Sequence, residues 1–94
     1  MKKILVLAAT AALSMGSFTV QANPYNALGC AGCHGPNGKS SVPSYPSLAG
    51  KDAAFIVQAL KDYQSGARKN ATMNAMAPMA AGQEQAIADF LAAQ

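Results

Sequence analysis

The sequence holds 94 residues, 51% of them hydrophobic and 12% charged, with a formal net charge of +3, no Trp, two Cys and one His. That length allows one small domain, and a domain of this size seldom builds enough core without a disulfide, a metal or some other staple. The basic balance does not mark a nucleic-acid partner: from residue 23 onward Lys39, Lys51, Lys61, Arg68 and Lys69 face Asp52, Asp62, Glu84 and Asp89, with no Lys/Arg cluster to follow a phosphate backbone.

In chain order, Lys2 and Lys3 precede the apolar run 4–13, and Val20, Gln21 and Ala22 close the segment. A basic start, an apolar middle and small residues at the end are the order of a secretory signal peptide, here with cleavage after Ala22. The competing reading is a retained membrane anchor. It needs about 18 or more uninterrupted apolar residues, and Ser14, Gly16, Ser17 and Thr19 break the run early. Residues 1–22 are therefore expected to be a leader and 23–94 the mature domain, exported to the periplasm and not inserted in a membrane.

Asn23 followed by Pro24 is a good helix start, so a short helix is expected to lead into Cys30. There the only two cysteines and the only histidine form Cys30-Ala31-Gly32-Cys33-His34. Three chemistries compete for that string. A thioredoxin-like dithiol wants a βαβ setting, and the chain shows no strand-like alternation. A structural zinc site wants a second pair of ligands, which is missing. Covalent attachment of a c-type haem is the third, with C-x-x-C-H as its signature. One helical turn sets two thiols to reach the two vinyl groups of a single porphyrin, and the next residue brings an imidazole beneath the iron. The small residues Ala31 and Gly32 leave room for the ring edge.

Residues 35–50 contain three Gly, three Pro, four Ser and an Asn, a turn-forming composition. They are expected to form a wrapping loop from which Val42, Tyr45 and Leu48 turn inward. From Asp52 to Ser65 the positions Phe55, Ile56, Ala59, Leu60 and Tyr63 predict one apolar helical face, capped by Asp52 and stopped by Gly66. Residues 66–82, with Asn74 and Pro78 among Met73, Met76 and Met79, are expected to form a second loop. Ile87, Phe90 and Leu91 predict a last helix over 83–93.

The ordered segments Cys30-Ala31-Gly32-Cys33-His34-Gly35, Tyr45-Pro46-Ser47-Leu48-Ala49-Gly50 and Ser65-Gly66-Ala67-Arg68-Lys69-Asn70, then the methionine stretch and a terminal helix, resemble the small monohaem class I c-type cytochromes. The likeness is greatest to the bacterial cytochromes called c553 and to a single domain of the dihaem c4 group. It implies an all-α fold of three to four short helices and loops wrapped around one haem c bound through Cys30 and Cys33. It also implies that His34 and a methionine are the iron ligands, that Leu48 covers the ring and that the Pro46 carbonyl orients the His34 imidazole. The simpler reading of Pro46 is that it only shapes a turn. Carrying the family pattern forward from the haem motif places the ligand on Met73. A local match around Met76-Ala77-Pro78 favours Met76, and Met79 falls where the family commonly has a buried leucine. Two departures stand out: only residues 23–29 precede Cys30, and Glu84 occupies a place that is commonly apolar.

The resemblance implies a soluble electron carrier and not an enzyme. Protein redox donors and acceptors would dock transiently, and the carrier would be a monomer or weak dimer. Two rivals remain at this level: the haem subunit of a larger periplasmic dehydrogenase, and a haem sensor or peroxidase with a labile sixth ligand.

Overall fold

Helix formation begins at Pro24 because Asn23 Oδ1 accepts from the Tyr25 N–H at 2.9 Å and proline at the first helical position has no N–H to satisfy. A computed structural model describes residues 23–94; the leader expected over 1–22 lies outside the described residues. The elements in order are α1 (Pro24–Ala27), α2 (Ala31–His34), a 3-10 turn at Pro36–Gly38, α3 (Ala53–Ser65), α4 (Ala71–Met76), a second 3-10 turn at Ala77–Ala80, and α5 (Glu84–Ala92). The fold is all-α, with no strand among the described residues.

Two expected elements are revised. The single helix leading to Cys30 is split into α1 and α2 at Gly29, whose φ of +83° is the left-handed region that favours glycine. The expected second loop contains α4. Asn70 caps it by accepting from the Met73 N–H at 2.9 Å, and Pro78 falls in the first turn of the following 3-10 segment, where its missing N–H costs no bond. Among the described residues there are five α-helices, three of them of four to six residues, where three to four were expected.

The core is small. Ile56 and Leu60 of α3 meet Ile87, Ala88 and Leu91 of α5, and Ala77, Ala80 and Tyr25 complete it. The brevity of α1 does not detach it from α5: the Tyr25 and Phe90 rings stack with centroids 5.4 Å apart. Tyr25 has no exposed surface, and its hydroxyl donates to the Gly35 carbonyl at 2.6 Å. Burial holds that hydroxyl above its ordinary pKa, so it remains a donor.

The long loop is fastened at Gly38, whose carbonyl accepts from the N–H groups of Leu48 (2.7 Å) and Ala49 (3.1 Å). Gly38 sits at φ +79°, and a Cβ there would stand 2.6 Å from Leu91 Cδ2. The Gly50 N–H then donates to Leu91 O at 2.8 Å, so the loop closes onto α5. Leu48 is half-buried, but Val42 corrects the expectation of an inward turn. It is 43% exposed and lies in an outer cleft with Ser40, Ser41 and Pro43. Ser40 explains the outward turn: its Oγ donates to Val42 O at 2.9 Å and accepts from the Val42 N–H at 3.1 Å, a local turn that faces solvent.

Candidate functional site

A cavity of about 380 Å³ lies between the α1–α2 segment, residues 44–51, α3 and the α4 region. Its wall is largely apolar and includes Leu28, Leu48, Ile56, Leu60, Met73 and Met76. Cys30, Cys33, His34, Tyr45 and Pro46 also border it, so two separate stretches of sequence converge on one space. Lys51 and Arg68 supply cations to the wall, and among the described residues no carboxylate lines it. The Arg68 guanidinium lies over the rings of Phe55 (5.8 Å) and Tyr63 (5.2 Å), which keeps half-exposed Phe55 at the rim of the cavity.

His34, the last residue of α2, is 8% exposed. Its Nδ1 is 2.8 Å from the Pro46 carbonyl. A carbonyl only accepts, so Nδ1 carries the proton and Nε2 is left with a lone pair. Among the described residues Nε2 has no hydrogen-bond partner. A buried acceptor left unpaired is costly, and a metal ion is the usual reason for presenting one from a histidine fixed in this way. Tyr45 packs edge-on against the same ring, with centroids 6.4 Å apart.

Cys30 and Cys33 are half-buried, unbridged and one helical turn apart. Burial pushes the Cys30 thiol above its ordinary pKa, and the neighbouring Cys33 pushes the same way. That is opposite to the low-pKa thiol of a dithiol oxidoreductase. An added Cβ at Gly32 would meet no atom within 4 Å, so the middle of the motif is open on its outer side.

Met73 and Met76 stand three residues apart on α4 and both are half-buried in the cavity wall. Met79 is 55% exposed and is not part of that wall. The expected grouping of Cys30, Cys33, His34, Pro46, Leu48, Met73 and Met76 around one space is what the fold brings about. Asn74 was read in the sequence as an interruption of a helix. In the structure its Nδ2 donates to the carbonyls of Tyr63 and Arg68, both at 2.9 Å. Gln64 carries no motif in the sequence; its Nε2 donates to Ala77 O at 3.0 Å and to Glu84 Oε2 at 2.9 Å. Backbone acceptors leave no sequence pattern, so neither tie has a signal in the sequence.

A flat, apolar macrocycle with two thiol-reactive edges and a metal centre suits this arrangement. The wall is greasy, the thiols are paired on one turn, and a buried imidazole presents an unshared lone pair. Fold and site together define an all-helical domain for covalently attached haem. The family model described as Cytochrome c matches residues 22–93, and the chain belongs to that family as a class I c-type cytochrome. Its cofactor is haem c, for which Cys30, Cys33 and His34 supply the attachment motif. A comparison with curated proteins returned no match.

Proposed function

We propose that the protein is a periplasmic one-electron carrier of the c553 or c4-domain type, in which His34 and Met73 hold the haem iron. Haem-based electron transfer is the general role of its family. The observation that carries the finer reading is the pairing, within one apolar cavity, of a histidine with a free Nε2 and a helix bearing two thioethers.

When bound, the haem supplies an iron centre that gains and loses one electron. The Nδ1–H bond from His34 to the Pro46 carbonyl fixes the tautomer, orients the ring and raises the basicity of Nε2. The thioether of Met73 is a soft, neutral donor that favours the reduced metal, and the apolar wall does the same by excluding water. With His34 and Met73 both holding the iron no place would be left for a substrate, which favours carriage over catalysis. Met73 is preferred to Met76 because its N–H is capped by Asn70 and its successor Asn74 is tied to α3, so its backbone is held at both sides.

The family match begins at residue 22, beside the leader boundary read at Ala22, in keeping with a domain over 23–94. No helix among the described residues is long and apolar enough to cross a membrane. Partners are taken to be redox proteins that dock transiently at a small interface, with the carrier a monomer or weak dimer.

The test compares Met73→Ala and Met76→Ala in the haem-loaded protein. M73A should keep its haem but lose the methionine–iron charge-transfer absorption and bind carbon monoxide when reduced. M76A should retain the parent spectrum. The reverse outcome moves the ligand to Met76, and carbon monoxide binding by the unaltered protein at neutral pH argues for a sensor or peroxidase.

A further inference from the structure

Asn74 reaches back from the methionine-bearing helix across the turn that precedes it. Its Nδ2 donates to Tyr63 O and to Arg68 O, each at 2.9 Å, and its Oδ1 accepts from the Asn70 N–H at 2.9 Å. The amide orientation is fixed by chemistry. Both carbonyls only accept and the backbone N–H only donates, so the reversed amide would lose all three bonds.

Tyr63 lies in the last turn of α3, where carbonyls have no partner within the helix. Its neighbour Asp62 O is taken by the Arg68 N–H (3.1 Å) and Ser65 Oγ (3.2 Å), which leaves Tyr63 O for Asn74. One side chain thus joins α4 to the end of α3 and to the turn between them. It stands next to Met73, whose own N–H is capped by Asn70 Oδ1.

We propose that Asn74 is a positioning residue that holds the Met73 sulfur in the His34 cavity and so sets how rarely the sixth ligand lets go. This rests on Met73 being the ligand. An external base reaches the iron only in molecules where Met73 has left it, so its apparent affinity scales with that fraction. Removing both donated bonds should raise the fraction about tenfold or more.

The experiment titrates the ferric haem-loaded protein with imidazole, followed in the Soret band, for the parent, Asn74→Ala, Asn74→Asp and Met73→Ala. Far-UV circular dichroism melts are recorded in parallel. Aspartate is isosteric and still accepts from the Asn70 N–H, but it sets an oxygen against the two carbonyls; it decides the matter alone if N74A does not accumulate. M73A should bind imidazole most tightly, and N74A and N74D about tenfold more tightly than the parent or better. Their methionine–iron absorption should vanish at a lower temperature than their helical signal, a separation that a merely structural role would not produce. Parent-like imidazole affinity in both Asn74 variants, with a tight M73A, overturns the role of Asn74 and leaves the ligand reading standing. So does an absorption loss that coincides with helix melting. A parent-like M73A overturns the ligand reading and this inference with it.

Discussion

At His34 a single hydrogen bond decides what the ring can do. With the proton held on Nδ1 by Pro46 O, the other nitrogen is committed to acting as a donor of electrons. Tyr25, on α1, performs a matching structural task at Gly35, the residue after His34. Its hydroxyl satisfies the Gly35 carbonyl at 2.6 Å while its ring stacks on Phe90. Tyr25→Phe should keep the stack and remove one of the two hydrogen bonds on that carbonyl, which also accepts from the Gly38 N–H at 3.1 Å, lowering stability in urea by about 1 kcal/mol without altering the visible spectrum. The Cys30, Cys33 and His34 set was legible from sequence because covalent attachment chemistry needs those residues at that spacing. Asn74 and Gln64 were not, since most of what they hold is backbone carbonyl, and every residue carries one.

At the scale of elements, α3 and α5 were readable because their apolar residues fall at helical spacing; Ile56, Leu60, Ile87 and Leu91 are buried as that spacing requires, whereas Phe55 stays 46% exposed at the cavity rim under Arg68. The helices α1, α2 and α4 have four to six residues and cannot show a period. Their existence depends on Asn23 and Asn70 as caps and on Gly29 as a break. The wrapping loop depends in turn on Gly38, where a Cβ would meet Leu91 and the Ala49 backbone. Gly38→Ala should cost about 2 kcal/mol or more, read from the thermal midpoint, because the left-handed backbone and the crowding add.

Glu84, in a place that the family commonly leaves apolar, links elements instead of filling a core. Its carboxylate accepts from Gln64 Nε2 at 2.9 Å and from the Gly82 N–H at 3.0 Å, and Gln64 also holds Ala77 O, next to Met76. The Gln64 amide first, then the Glu84 and Gly82 backbone N–H groups, hold its carboxyl below the ordinary carboxylate range. A group depressed in the folded state adds stability that is present above its unfolded value and lost as pH falls through its folded value. Acidification below about pH 4 should therefore lower the melting temperature more in the parent than in Glu84→Gln.

For the whole molecule, the balance of core and cavity is the governing fact. Among the described residues the only large side chains with less than 2% exposure are Tyr25 and Leu91, three of the eight core residues are alanine, and a cavity of about 380 Å³ lies beside them. Filling that cavity with haem replaces water on Leu28, Leu48, Ile56 and Leu60 by apolar contact, at about 25 cal/mol for each Å² covered. Without haem a domain of this size with so small a core is only marginally stable. The double variant Cys30→Ala, Cys33→Ala should lose its sharp thermal transition, seen in far-UV circular dichroism and calorimetry.

The most direct test is to denature the purified protein and record the absorbance and mass of the polypeptide together. The haem absorbance and the mass of one haem should stay with the chain, attached through Cys30 and Cys33. A folded but colourless protein, with both thiols free or joined to each other, would contradict the central claim that a covalently held haem completes this fold and carries its electron.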